Sequence, residues 1–505
     1  MFIRKKKNKS GVVSIQIIDK SSGAYRVVMT IGSSADSEEI THLYQKALNE
    51  IPRLTGQQSL NFDIEKEDAL VNMFFNGIED LKLVGPELVL GKLFNEIGFN
   101  AIEDELFRHL VITRLVYPVS KLKTLDYLYK YKNVFIEKDK VYRYLDKLSN
   151  KYKKQLQQIS YNHTLSILNN SISIVFYDVT TLYFEIDDED DLRRTGFSKE
   201  GRHQNPQIVL GLLVSIDGYP LAYEIFDGKK FEGHTMLPVI EAFKKDFSLQ
   251  HLVIIADAGL LSNDNIMELH NKGYEYILGA RLKNESKAVQ KQILSLALKN
   301  GESAAIQKDE CTKIIISYSS ARAKKDEANR KRGLQKLEMA VKSGKLNKKS
   351  INNRGYNKYL KLEGQINVCI DYSKYKADGR WDGLKGYVTN TKLSNNDIIE
   401  NYRHLWNIEK AFRISKTDLK VRPVYHRLQS RIEAHLCIAF CAYKIYKELE
   451  RQLKIKQPGI SPEKAIEILK TIYSLTILTP YSKKPLSRLI LKKAEQQLIL
   501  KLFES

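Results

Sequence analysis

Cysteine is scarce in this 505-residue chain: Cys311, Cys369, Cys437 and Cys441 are the whole complement, with no CxxC pair and no cluster of histidines beside them. A disulfide framework and a thiolate zinc site are therefore not expected, and a reducing, cytoplasmic setting is. Also missing is an uninterrupted apolar run of the roughly 18 residues a membrane-spanning helix needs. The opening MFIRKKKNKSG carries charge with no apolar stretch behind it, unlike a secretory signal, so no membrane association is expected. Acid is in short supply as well, with 60 Asp and Glu against 81 Lys and Arg. The resulting charge of +21 points to a polyanionic partner, nucleic acid before any other, unless lysine is merely used freely on the surface. What the chain does have is 43% hydrophobic residues, enough to exclude general disorder.

The texture changes along the chain and predicts six segments. Residues 1–65 open with VVSIQIID and AYRVVMTIG around the turn KSSG, a β-hairpin region. Helical spacing fills 66–168, where the tyrosines and lysines of YLYKYKN (127–133) suit either base stacking or the wet edge of a bundle. From 169 to 283 come strands: ISIVFYDV ending at Asp178, two strands around the turn Asp217-Gly218-Tyr219-Pro220, HLVIIAD ending at Asp257, a helix capped by Ser262 and closed at Gly273, then YEYILGAR. Residues 284–365 form a basic insertion, with 11 basic and three acidic side chains between Arg322 and Lys349, a solvated face or a DNA contact. Strands resume in 366–450, and 451–505 is a lysine-rich helical tail. Two antiparallel strands followed by a strand–helix–strand passage predict an α/β fold with a mixed sheet flanked by helices.

Three carboxylates stand out. In YRHLWNIEKAFRISK (402–416) a single amphipathic helix is predicted, with Tyr402, Leu405, Trp406, Glu409, Phe412, Arg413 and Lys416 on its packed face. Glu409 thus occupies a core position and needs a neutralising partner, either Arg413 one turn on or a bound cation. With Asp178 and Asp257 at strand ends it makes an oxygen-only set that suits Mg²⁺ or Mn²⁺. Two such ions suit phosphodiester chemistry. Singly, His234 and His251 read as structural, the run Asp187 to Asp191 as a solvated loop, and Cys437 and Cys441 as packing groups of an apolar helix. Lys420, Arg422, Arg427 and Arg431 continue a basic edge beyond the Glu409 helix.

The ordered stretches FYDVTTLYF, GLLVSIDGYPLAYEIFDG, VIIADAGLLS and YRHLWNIEKAFRISKTDLKVRP resemble the catalytic domain of DDE-class insertion-sequence transposases. The likeness is to the group carrying a Tyr-x2-Arg-x3-Glu-x6-Lys signature, and it extends over about 165–445. Tyr402 stands seven before Glu409 and Lys416 seven after it, while Leu405 replaces the signature arginine and Arg413 is its expected substitute. The gaps of 79 residues from 178 to 257 and 152 from 257 to 409 match that group's extra segment before the glutamate. The resemblance implies an RNase H-like fold and a catalytic, metal-binding triad of Asp178, Asp257 and Glu409. Tyr402, Arg413, Lys416, Lys420 and Arg422 are then expected on the DNA. It also implies two Mg²⁺ or Mn²⁺ ions, terminal inverted repeats and target DNA as substrates, a homodimer on DNA, and a bacterial, nucleoid-associated enzyme. A structure-specific nuclease of the same fold, or a non-catalytic DNA-binding derivative, are the alternatives.

Overall fold

The computed structural model describes residues 1–56, 64–185, 188–198, 201–247, 252–260, 262–344, 346, 350–352, 355–363, 367–456, 459–479 and 482–504. Asp187, His251, Lys345, Lys348 and Lys349, which figured in the sequence reading, lie outside the described residues. The chain divides into two compact units, residues 1–80 with 476–487, and residues 81–475 with 488–505.

In the first unit, β1 (Phe2–Lys7), β2 (Val13–Asp19) and β3 (Arg26–Ser34) form an antiparallel sheet in that order. The sequence predicts only the β2–β3 hairpin; FIRKKK adds an edge strand paired from Phe2↔Ile18 to Lys7↔Val13. Its lysines resemble a charged tail when read in one dimension, yet charge on an edge strand is what keeps a free sheet edge from recruiting other chains. Ile15 and Ile17, two apart, are buried with Ala47 of helix α1 (Ser37–Leu54). Asp36 caps α1 by accepting the Glu38 amide at 2.7 Å. Helix α2 (Ile64–Asn76) follows.

After strand β4 (Ile78–Leu83) come helices α3 (Lys92–Ile97), α4 (Glu105–Val116), α5 (Lys121–Lys132) and the long α6 (Lys138–Ile167). Within YLYKYKN, Tyr127 turns inward and stacks on Tyr117 at 5.3 Å, whereas Tyr129 and Tyr131 are exposed. Next are β5 (Ile174–Tyr183), β6 (Gln207–Ser215), β7 (Pro220–Asp227), α7 (Met236–Phe247), β8 (Val253–Ala256), α8 (Asn263–Asn271) and β9 (Glu275–Ala280). Ser262 caps α8 by accepting the Asn265 amide, and Gly273 follows with φ of 70°, as the sequence predicts. Then come α9 (Lys287–Ser295), β10 (Ser303–Gln307), β11 (Lys313–Tyr318), α10 (Ser320–Lys342), β12 (Leu360–Glu363), β13 (Asn367–Ile370), α11 (Tyr372–Asp378) and β14 (Leu384–Thr389). The chain closes with α12 (Asn395–Arg403), α13 (Trp406–Thr417), α14 (Gln429–Lys456), α15 (Pro462–Leu469), β15 (Tyr473–Leu478), β16 (Pro485–Ile490) and α16 (Ala494–Phe503).

The main sheet runs β10-β11-β14-β9-β8-β5-β6-β7. β5, β6 and β7 are antiparallel neighbours, and β8 and β9 lie parallel to β5, which is the RNase H-like order. Part of the stretch between Asp257 and Glu409 joins this sheet: β10 and β11 extend it through β14, while α10 carries the basic run. Alternation along the strands sorts the core into two layers. Phe176, Leu182, Val253, Ile255, Ile277 and Tyr387 point to the face covered by α4, α6, α13 and α14. Val175, Tyr177, Ile254, Ala256 and Val388 point to the other, toward α7 and α8.

Helix α14 runs through the middle of the first layer and is buried along most of its length, Cys437 and Cys441 included. Its charges are therefore partnered. Lys444 donates to the Ser160 carbonyl at 3.0 Å and to the Thr164 hydroxyl, and Glu448 accepts from Arg451 and from the Tyr219 hydroxyl. The β6–β7 turn needs Gly218 at φ of 81°, and two helices hold it. Asn407 of α13 donates to the Ile216 carbonyl at 2.6 Å, and Tyr443 of α14 to the Gly218 carbonyl at 3.0 Å.

Candidate active site

The ladder between β5 and β8 fixes two of the three carboxylates. Its last parallel pair is Tyr177↔Ala256, so the next residue on each chain is an aspartate, Asp178 beside Asp257. Neighbouring strands lie about 4.8 Å apart, which brings the two carboxylates side by side. Asp178 keeps the phase of Phe176, and Asp257 that of Val253 and Ile255, so both face the α13 layer. Asp178 is half-buried and Asp257 exposed. The sequence reading placed Asp178 at a strand end; β5 instead continues to Tyr183, because β6 pairs with its whole length and supports it beyond the point where β8 stops. It is β8, not β5, that ends here and opens the cleft.

Helix α13 packs against β5 and β6 and carries Glu409. The single helix predicted across 402–416 is broken at His404–Leu405, between α12 and α13. This break resets the helical phase. Ile398 and Tyr402 are buried on α12, but on α13 the buried side is Asn407, Ile408, Ala411, Phe412 and Ile414. Glu409 and Arg413 are consequently exposed, which overturns the expectation of a carboxylate on the packed face. Leu405, at the position of the signature arginine, sits in the core at the break, where a guanidinium would be stranded. No ion pair joins Glu409 to Arg413 among the described residues.

Tyr402 and Lys385 link the carboxylates. Tyr402 is 5% exposed and donates its hydroxyl to Asp257 at 3.3 Å. Burial first, then Asp257 and more distantly Glu409, raise its pKa. Gly279 of β9 makes room for it, since a Cβ there would collide with the Tyr402 hydroxyl. The Lys385 ammonium lies 4.5 Å over the Tyr402 ring. Burial and Arg322 hold its pKa below the usual lysine range, and the negative charges of Asp257 and Glu409 offset this only in part. Lys385 escaped the sequence reading; the signal was its phase with core-facing Tyr387 in the strand LKGYVT.

The remaining predicted residues spread along one side. Lys416 and Thr180 of β5 line one cavity, and the Arg422 guanidinium lies 6.0 Å over Tyr183 at the end of that strand. Lys420 is exposed, with φ of 45°. Arg431 is committed to a bidentate pair with Asp146, 2.9 Å at each oxygen. In the acidic loop Asp190 and Asp191 pair locally with Arg193 and Arg194. His234 sits edge-on to Phe231.

Oxygen donors alone meet at this site, a set that suits a hard divalent cation. The β5–β8 register brings Asp178 and Asp257 together, and Glu409 lies on the exposed side of α13, near enough to act on Tyr402 and Lys385; among the described residues no three His, Cys, Asp or Glu side chains close around one point.

Residues 170–445 match the transposase DDE domain family. The chain belongs to that family. It is a DNA transposase of the DDE class, an enzyme of a family that uses divalent metal ions. Among solved structures, a piggyBac transposase synaptic complex with hairpin DNA is similar at 10% identity and a TM-score of 0.37, over 83% of this transposase and 84% of that chain. A Mos1 transposase paired-end complex with the left transposon end matches at 11% identity and a TM-score of 0.16, over 25% of this chain and 42% of that one. No curated protein matches in sequence. Among the described residues no helix is long and apolar enough to cross a membrane.

Proposed function

We propose that Asp178, Asp257 and Glu409 are the catalytic carboxylates of this transposase, which cuts at the ends of an insertion sequence and joins those ends to target DNA. The observation that carries this is the β5–β8 register, which sets two aspartates abreast on the face that α13 covers. Two divalent ions, Mg²⁺ or Mn²⁺, would supply activation of the attacking water or 3′-hydroxyl and stabilisation of the leaving oxygen. Asp178 and Asp257 are the fixed ligands, held by the sheet. Glu409, exposed on α13, has the side-chain freedom to complete the set. Tyr402 is a positioning residue, holding Asp257 through its hydroxyl. Lys385 balances the carboxylate charge from the sheet side. Arg413 and Lys416 flank Glu409 on α13, and Lys420 and Arg422 continue the basic edge; together they track the phosphates of the scissile strand. Terminal inverted repeats as the bound sequence, and two copies assembled on paired ends, are expectations that rest on the family.

The test is strand cleavage and joining on labelled DNA that carries the repeats flanking the coding region. Wild type is expected to nick at the 3′ ends and form joined product with Mg²⁺ or Mn²⁺, and Asp178→Asn, Asp257→Asn and Glu409→Gln to bind DNA without doing either. Cleavage of branched DNA without joining would point to a nuclease instead. Binding without cleavage by wild type would leave a DNA-binding derivative.

A further inference from the structure

The end of α4, the first turn of α5 and the segment after α13 line a cavity of about 500 Å³ whose walls include none of Asp178, Asp257, Glu409, Tyr402 or Lys385, and which meets the basic edge at Lys420 and Arg422. Arg114, Lys121, Lys123, Lys420 and Arg422 line it, and no carboxylate does among the described residues. Arg114 and Lys121 are 5% and 4% exposed. Among the described residues Arg114 reaches only the Leu419 carbonyl and His435 Nδ1, each at 3.5 Å. Lys121 has no hydrogen-bond or ion-pair partner among the described residues; burial, then Arg114, drive its pKa well down. The two cavity histidines add no counter-charge: burial, Lys121 and Arg114 push His426 down to about 4, and His435 is lowered by burial and the same two cations. Asp146, which acts on His426, is already held by Arg431.

The helix end sharpens the imbalance. The Ser120 hydroxyl caps α5 at the Lys123 amide, and the first turn carries Lys121 and Lys123 with no acid. A helix N-terminus is itself partly positive and favours anions over cations. Lys420, on the rim, is held in the left-handed region at φ of 45°, which a lysine adopts only when its surroundings impose it. A buried lysine head group without a partner among the described residues, on the wall of a cavity with four more basic side chains and a helix N-terminus, is an arrangement an anion completes, and a bound anion would favour its charged form.

We propose that this cavity seats a backbone phosphate of the transposase's DNA, a contact separate from the carboxylate site, with Lys121 and Arg114 as floor and Lys123, Lys420 and Arg422 as rim. The proposal rests on the DNA-processing reading above and deepens it. The cavity exceeds what one phosphate fills, which leaves space for the flanking sugars. Lys420 and Arg422 follow directly in the chain from the helix that carries Glu409, so a strand leaving the carboxylates can run into it.

The test uses the full chain, Lys121→Met, and the exposed rim variant Lys123→Gln in case the first fails to fold. Inorganic phosphate is expected to raise the thermal midpoint of wild type and not of Lys121→Met, while Lys121→Met without phosphate melts no lower than wild type because a buried, unpartnered polar group is gone. Binding of duplex DNA over a range of salt should weaken about tenfold in either variant, with the log–log salt slope shallower by about 0.9, the loss of one phosphate contact. Equal stabilisation of wild type and Lys121→Met by phosphate would overturn the site. A phosphate effect with an unchanged DNA slope would overturn the backbone-phosphate assignment in favour of a free anion. Asp257→Asn, run alongside, separates the two claims: if it abolishes cleavage while Lys121→Met keeps the full salt slope, the carboxylate reading stands and the cavity proposal falls.

Discussion

Replacing Gly279 with alanine should damage the reaction without touching a carboxylate. The added Cβ would collide with the Tyr402 hydroxyl and come within 3.0 Å of the Ala258 nitrogen and 3.2 Å of its Cβ. Tyr402 has little room to retreat, being 5% exposed with the Tyr387 ring 4.8 Å away. Overpacking of this kind costs about 1–3 kcal/mol of stability. A hydrogen bond to a charged group contributes about 1.5–3 kcal/mol, and at 3.3 Å this one belongs at the low end. If that energy serves to orient Asp257, its loss slows cleavage by about tenfold, since about 1.4 kcal/mol is a factor of ten in rate. Tyr402→Phe should show a similar loss in rate with a smaller loss in stability. The two changes share one atom, so they should not add: in the Tyr402→Phe background, Gly279→Ala should cost little further activity. Single-turnover cleavage of the four proteins at saturating Mg²⁺ decides the matter. Additive losses, or a Gly279→Ala enzyme as fast as wild type, would refute the positioning role of Tyr402.

Two further predictions concern stability. Burial raises the pKa of Glu450, but Lys447 and Lys410 outweigh it and hold the carboxyl down to about 2, while burial and Lys410 keep the Lys447 ammonium below its usual range. A depressed carboxyl stabilises the fold above its unfolded pKa near 4.5 and loses that contribution as pH falls toward 2, on the order of 3 kcal/mol in all. Denaturant melts between pH 5 and 2, as approximate limits, should therefore be flatter for Glu450→Gln than for wild type; parallel curves would sink the assignment. Asn407→Ala removes the 2.6 Å bond to Ile216 and strands a carbonyl, so it should lower stability by about 1–3 kcal/mol, and an unchanged melting midpoint would show that α13 does not hold the β6–β7 turn.

Much of this architecture is legible in one dimension because alternation and strand-ending aspartates are local signals. The order of β5 to β9, the Ser262 cap and the turn at Gly218 follow from residues within a few positions of one another. What could not be read is what depends on a partner strand or a break in phase. Asp178 looks terminal because a polar residue interrupts an apolar run, but β6 carries the strand past it. Glu409 looks buried because 402–416 fits one helical period, and nothing in YRHLWN announces the two-residue break that turns it outward. The strand character of FIRKKK is hidden by its charge, and the Lys121 cavity is invisible because its walls come from segments some 300 positions apart, as the Arg114–Leu419 contact illustrates.

The most direct measurement is a change of metal preference at one proposed ligand. Asp257→Cys puts a soft thiolate where a hard carboxylate stands, and a thiolate tolerates Mn²⁺ far better than Mg²⁺. Cleavage by this variant is predicted to be lost with Mg²⁺ and partly restored with Mn²⁺, while a control substitution at exposed Lys9 behaves as wild type with both ions. Equal activity of Asp257→Cys in the two metals, or equal inactivity where Asp257→Asn still cleaves, would contradict direct metal ligation by Asp257 and with it the shared carboxylate site.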